Sequence, residues 1–325
     1  MGNKLSGQKK IVHLLVPDLL AQPLSPNFAV LNKLSAKAKI KKTPHSNYLT
    51  TLFELFMFSE STLPVAAITH LYDTQSKDDY IWLRADPVYL QVTHHRINLL
   101  ESEYLHLSQV EADKIIATLN EYYRHDNLEF SAPTPTRWYV KLPQLPKVTF
   151  TPLPAVMGKN IYALFPTGED QPYWQQLLNE IQMLLHSHEV NEQREEQQHF
   201  PINSLWFWGA GQLPQLPLSA VWQSVTSDDP TACGLAYLGN IAYFDHVDSS
   251  TWFNQINSEG HHLLTLLPNY HQADGRDAWL QQLETTWFTP LFDALKQKYI
   301  DKLIVYPCNQ QVLHISLQKW WQKLF

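Results

Sequence analysis

Four compact apolar runs set the limits on how this chain can fold. Residues 11–16 (Ile11-Val12-His13-Leu14-Leu15-Val16), 202–208, 261–267 and 301–306 are short and rich in branched and aromatic side chains, with little polar alternation. Such strands suit the interior of a sheet covered on both faces, since a sheet with one wet face needs apolar residues only at every second position. Helical patterns accompany them. Residues 172–190 place Trp174, Leu177, Leu178, Ile181, Leu184 and Leu185 on one stripe, and residues 278–298 repeat the helical period. Strand and helix alternate toward both ends, so the expected class is α/β, with a mixed or parallel sheet and helices on both faces.

The middle of the chain reads differently. Ser46 opens a helix running to about residue 60, with Leu49, Leu52, Phe53 and Phe56 on a shared face, and residues 65–72 and 80–92 read as strands. Ser108-Gln109-Val110-Glu111 is a capping box that starts a helix with Ile115, Ile116 and Leu119 inward. From 131 to 172, prolines punctuate short β-like pieces such as 137–142, the composition of an inserted or wrapped α+β region. The expected division is 1–80 as the N-terminal part of the core, 81–172 as that smaller region, and 173–325 as the C-terminal part of the core.

Composition narrows the function classes. With 325 residues, 44% hydrophobic and 17% charged, the chain can bury a large core. No run approaches the roughly 20 apolar residues of a spanning helix, and the start lacks a signal-like apolar segment, so a cytoplasmic protein is expected. Cys233 and Cys308 lie far apart and outside any C-x-x-C pattern, which excludes a disulfide framework and a thiolate zinc site. Net charge is +7 over residues 1–50 and −14 over the remainder. Lys33, Lys37, Lys39, Lys41 and Lys42 crowd one segment, an anchor for phosphate or an acidic partner; its lack of Arg and aromatic residues disfavours nucleic acid. Met1-Gly2-Asn3-Lys4-Leu5-Ser6 fits a myristoylation pattern, so membrane attachment is expected only if Gly2 is acylated.

Fifteen histidines invite a metal hypothesis, but the spacing opposes it. His94-His95 and His261-His262 are neighbours that point to opposite faces of a strand, and His186 and His188 diverge on a helix. Trp208-Gly209-Ala210-Gly211 follows a strand, yet Pro214 stands where a dinucleotide fingerprint needs its third glycine. Close backbone approach to a ligand, or a sharp turn, remains open there.

One segment is more specific. His188, Asn191 and Arg194, followed by Asn203, Trp206, Trp208, Gly209, Gly211 and Pro214, reproduce H-x-x-N-x-x-R and N-x-x-W-x-W-G-x-G-x-x-P. This signature resembles that of the archaeal-type cofactor-independent phosphoglycerate mutases. Thr151-Pro152-Leu153-Pro154-Ala155 resembles a decayed form of their T-P-P-H-D, and Asp86 with Arg96-Ile97-Asn98 is similar to their D…R-x-N stretch. Trp82-Leu83-Arg84-Ala85-Asp86-Pro87-Val88, together with the 178–191 and 203–209 segments, resembles still more closely the bacterial regulatory-protein RpfE family, distant kin of those mutases.

The resemblance implies an alkaline-phosphatase-like fold and, in the mutases, a serine nucleophile with two divalent metals held by Asp and His. It makes Asp18 the counterpart of the first metal-binding aspartate, but Leu19 replaces the following glycine and no second aspartate follows. Ser46 stands near the nucleophile position; a helix cap is its plainer role. Asp274 and Asp277 sit where a D-E-A-G-H-D-G-D motif belongs, and Pro307-Cys308-Asn309 replaces a later Asp-His pair. The reading is a catalytically degenerate phosphoglycerate-mutase-like protein that acts by binding, in a regulatory role, with no cofactor expected. Asp86, Arg96, His188, Asn191, Arg194, Asn203, Trp208, Gly209 and Gly211 would bind a phosphate or carboxylate ligand. Two alternatives stand beside it. One is an active phosphomutase or phosphatase with Mn, Zn or Mg at a set drawn from Asp18, Ser46, Asp274 and Asp277; the other is a protein-interaction module using the lysine-rich segment.

Overall fold

The computed structural model describes residues 9–58, 62–93, 96–156, 159–215, 221–245, 248–268 and 275–316. Two compact units result, Met1–Ser59 with Leu216–Phe325, and Glu60–Gln215. In chain order, β1 (Lys10–Leu15) and β2 (Lys39–Lys42) belong to the first unit. The second holds β3 (Ile81–Val92), β4 (Ile97–Glu101), β5 (Glu129–Ser131), β6 (Tyr139–Leu142), β7 (Val148–Thr149), β8 (Thr167–Gly168) and β9 (Ser204–Gly211). The first unit then resumes with β10 (Trp222–Thr226), β11 (Ala242–Phe244), β12 (Gly260–Thr265), β13 (Lys302–Tyr306) and β14 (Gln311–Ile315).

The first unit is built on a sheet of order β11-β10-β12-β1-β13-β14-β2, parallel from β11 to β13 and antiparallel at β14 and β2. On one face Val12, Leu14, Leu264, Leu303 and Val305 pack against Trp252, Trp287, Phe288 and Leu291 from helices. On the other, the Tyr48–Leu55 helix and the residues after it cover Trp222, whose indole donates to the Leu55 carbonyl at 3.0 Å and whose ring meets Phe56. This is the expected α/β class, a mostly parallel sheet with helices on both faces.

The second unit is an antiparallel sheet of order β4-β3-β6-β5, with β9 also paired to β3. Its larger core joins Leu83, Ile115, Trp138, Trp174, Ile181, Leu205 and Phe207. Its other face is closed by the Val65–Thr74 helix over Trp82 and Tyr139. The capping box at Ser108 is complete, with the Ser108 amide donating to Glu111 at 2.8 Å and the Glu111 amide returning to the Ser108 hydroxyl at 3.3 Å.

Several expectations change. Residues 65–72 form a helix, not a strand, because seven successive side chains from Val65 to Leu71 are buried and the apolar run carries no usable period. The 172–190 pattern is two helices, Gln171–His186 and Glu189–Glu196, with His188 capping the second. The 278–298 pattern is broken by a π-helical turn at Glu284–Phe288. There the buried Glu284 carboxylate accepts the Val30 and Leu31 amides at 2.8 and 3.1 Å, serving the start of the Ala29–Lys37 helix, whose own cap position is Phe28. The units divide near 60 and 215 rather than near 80 and 172, since the Gln171–His186 helix and β9 complete the second unit's core. Among the described residues no helix is long and apolar enough to cross a membrane.

Candidate functional site

In a parallel sheet the loops leaving the carboxyl ends of the strands converge, and ligands bind there. In the first unit β1 leaves through Pro17 and the exposed Asp18, which adopts a left-handed φ of 61°. Strand β13 leaves through Pro307-Cys308-Asn309-Gln310, with Cys308 and Gln310 also left-handed at 58° and 65°. Hydrogen bonds from the Thr43 amide to the Gln310 carbonyl and from the Gln310 amide to the His45 carbonyl bring the Pro44–Ser46 loop alongside. Ser46 is exposed and caps nothing; Asn47 is the cap, its Oδ1 accepting the Thr50 amide at 3.0 Å. Burial in the first helical turn is what the sequence could not rank between two adjacent capping residues.

Tyr48, next along, donates to Asp229 Oδ2 at 2.5 Å. Asp229 also accepts the Thr231 and Ala232 amides, both at 3.2 Å, as cap of the Pro230–Leu238 helix. Burial, and then the Asp229 charge, hold the Tyr48 hydroxyl protonated far above the usual tyrosine range. Burial also pushes the Cys308 thiol up to about 12. Ser227 and Thr265 share a hydroxyl pair at the ends of β10 and β12. Arg276 is buried and donates to the Leu19 and Gln22 carbonyls at 3.0 and 3.2 Å, which sets the Gly275–Leu283 helix against the turn after β1; Asp277 beside it is exposed. Asp274 lies outside the described residues.

The fold therefore gathers the Asp18 and Ser46 loops and the Pro307-Cys308-Asn309 loop at one edge, yet apart from the exposed Asp18 carboxylate the described side chains there are neutral or already bonded. Two-metal phosphoryl transfer needs clustered carboxylates and imidazoles. Among the described residues the edge offers a protonated thiol, a protonated phenol, hydroxyls, the Asp229 carboxylate committed to a helix cap and the exposed Asp18 carboxylate, a set too poor in anionic ligands for two divalent cations. Among the described residues no three His, Cys, Asp or Glu side chains come together to hold a metal ion. Tyr48 and Asp229 carried no motif, so only the fold could reveal them at this edge.

The signature residues lie in the second unit and form joints. Asp86 is fully buried on β3 and accepts from Arg84 at 2.6 and 2.9 Å, from the Trp208 indole at 2.7 Å and from the Trp138 amide at 3.3 Å. Arg194, 1% exposed, donates to the Phe200 carbonyl at 2.9 Å, to Glu111 at 2.7 Å and to the Leu105 carbonyl. Asn191 grips the Leu185 and Ile202 carbonyls, both at 2.7 Å, and the Ile202 amide at 2.8 Å. Asn203 brackets the Leu90 backbone at 2.7 and 2.9 Å. His188 Nδ1 accepts the Val190 amide and its Nε2 meets Thr118 at 2.9 Å; burial lowers its pKa. Gly209, at φ 69°, and Gly211 leave room for the Val65–Thr74 helix: a Cβ on Gly211 would lie 2.6 Å from Pro64 Cβ. Arg96 alone is exposed, on the turn between β3 and β4; His95 lies outside the described residues. The signature that looked like a ligand grip thus knits strands and helices together.

No protein-family model matches the chain. The 2,3-bisphosphoglycerate-independent phosphoglycerate mutase of Methanosarcina mazei is 29% identical over 112 residues, covering 34% of this chain and 28% of the relative. The enzyme of the same name from Methanosarcina barkeri is 27% identical over 160 residues, covering 48% and 40%. The chain thus matches less than half the length of these relatives. The solved structure of the PH0037 protein from Pyrococcus horikoshii superposes with TM-score 0.58 at 14% identity, over 95% of this chain and 88% of that one, and so shares its fold. Distant homology to the cofactor-independent phosphoglycerate mutases follows from the two sequence matches.

Proposed function

We propose that this chain is a catalytically degenerate relative of the cofactor-independent phosphoglycerate mutases that works by binding an anionic ligand, phosphate or carboxylate, in the regulatory role that its resemblance to the RpfE family implies. The observation carrying this reading is the chemistry of the sheet's carboxyl edge. Cys308 holds its thiol proton, Tyr48 is locked to Asp229, and Asp229 is occupied by two helix amides. Among the described residues nothing there would neutralise a phosphoryl group in transit and orient a nucleophile at once. Among the described residues no base is hydrogen-bonded to Ser46, and an exposed loop hydroxyl is a weak nucleophile without one.

The test is turnover. Purified protein is given a generic phosphomonoester and, separately, 3-phosphoglycerate, with Mn²⁺, Zn²⁺ or Mg²⁺. No metal-dependent release or isomerisation is expected. Turnover that requires metal and disappears in Asp18→Asn would overturn the reading and restore an active enzyme built on Asp18, Ser46, Asp274 and Asp277.

A further inference from the structure

The first unit's sheet carries a concentration of cations on one face, on its β13-β14-β2 side. Side chains alternate along a strand, so register fixes which ones share a face. Lys39 on β2 stands opposite His314 on β14, His314 opposite Ile304 on β13, and Ile304 opposite His13 on β1. Lys41 on β2 and Lys302 on β13 lie two residues from that row and therefore on the same face. The charges that His314 feels are those of Lys302, Lys41 and Lys39; those that Lys302 feels are Lys41 and Lys9. Among the described residues no ion pair includes Lys39, Lys41 or Lys302.

Lysines on an edge strand have a plain structural use, which is to discourage pairing with another sheet. That accounts for Lys39, Lys41 and Lys42 on exposed β2. It does not account for Lys302, which sits on the third strand from the edge, half-buried and without a carboxylate, nor for the half-buried His314 among three ammonium groups. A fold that holds cations together unpaired is stabilised by whatever anion joins them.

We infer that this face is a binding site for a phosphate group on a small molecule, held by the ammonium groups of Lys39, Lys41 and Lys302 around the His314 imidazole. The cluster spans three neighbouring strands, roughly 10 Å at the usual strand spacing. Lys41 and Lys302 stand diagonal to His314, one on each side of it along the strands and about 7–8 Å away at the backbone, within reach of a lysine side chain, so with Lys39 directly opposite, all three ammonium groups can turn to one tetrahedral dianion over the imidazole. The inference rests on the reading of this chain as a binding protein and gives its anionic ligand a location.

His314 reports on the site directly. Burial, then Lys302, Lys41 and Lys39, hold its pKa down to about 4. The groups facing it are Lys39 and Lys41 from β2, Lys302 and Ile304 from β13 and, next in the row, His13 from β1. A bound dianion favours the imidazolium, so the NMR titration midpoint of His314 in inorganic phosphate should rise by about one pH unit over chloride at matched ionic strength, a roughly tenfold preference of phosphate for the protonated form. Lys302→Gln and Lys41→Gln should abolish the phosphate effect. Lys42→Gln, on the opposite face, should leave it intact. Thermal unfolding at pH 6 gives a second reading: phosphate should raise the midpoint of the wild type over chloride and not that of Lys302→Gln. Equal His314 midpoints in phosphate and chloride, an unchanged effect in Lys302→Gln, or a response to oligoglutamate without one to phosphate would each overturn the inference, the last in favour of an acidic protein partner. Failure here leaves the turnover test untouched, and turnover in that test would leave this site standing.

Discussion

Arg194 shows how a conspicuous residue can be structural. Its guanidinium is 1% exposed and reaches Glu111, Phe200 and Leu105, binding the Glu189–Glu196 helix to the start of the Gln109–Tyr122 helix. Arg194→Ala should therefore destabilise the protein by about 1–3 kcal/mol in urea unfolding, because a partly buried carboxylate partner and two carbonyls lose their donor. An unchanged midpoint would contradict a structural role. Trp208→Phe, which leaves Asp86 Oδ2 without the indole, should cost about 1–3 kcal/mol. His13 sets a pH dependence. Burial, then His261 and Lys302, hold its pKa down from 6.5 to about 3, while Tyr306 and His261 bond to its two ring nitrogens at 2.9 and 2.8 Å. With the folded value depressed, its contribution is fully present above pH 6.5 and is lost as pH falls toward 3. The unfolding free energy should decline across that interval, and His13→Gln should lower stability at pH 7 while flattening the slope. An unaltered slope would remove His13 from the account. These roles were only half legible in the sequence: spacing identified His188, Asn191 and Arg194 as a set, but whether a polar set faces a ligand or its own backbone depends on burial, which no single sequence carries.

At the scale of elements, the sequence was clearest where a local rule decides the structure. The Ser108 box formed as its residues demand, and β1, β3, β12 and β13 lie close to their apolar runs. It was obscure where contacts from elsewhere decide. The Val65–Thr74 helix looks like a strand because it is apolar on every side, and what accepts it is the pair Gly209 and Gly211 on β9. That pairing supplies a prediction. Gly211→Ala would drive a methyl group to 2.6 Å from Pro64 Cβ and 2.9 Å from Pro64 Cα, so it should destabilise by about 1–3 kcal/mol and loosen this helix first. Hydrogen exchange should show faster exchange of amides 66–72 than of the Ile115–Leu119 turn. Equal protection would mean that the glycines serve something other than close packing. The π turn at Glu284–Phe288 was equally hidden, since its cause is the Ala29–Lys37 helix, more than two hundred residues away in the chain.

For the whole molecule, the fold class was readable because buried strands alternating with helices admit few architectures, and the boundaries were not, because β9 and the Gln171–His186 helix are as apolar as the parallel core they resemble. The two units differ: the second carries the mutase-like signature as its framework, while in the first no group of His, Cys, Asp or Glu able to hold a metal ion is gathered among the described residues, and the claim is that none forms there. Thermal unfolding with and without Mn²⁺, Zn²⁺ and Mg²⁺ tests that claim most directly, since a cation present at 100 times its dissociation constant stabilises the native state by about 2.7 kcal/mol. The account predicts coincident transitions with all three cations. A clear upward shift with any of them, abolished by Asp18→Asn, would contradict it and return a metal centre to the carboxyl edge of the sheet.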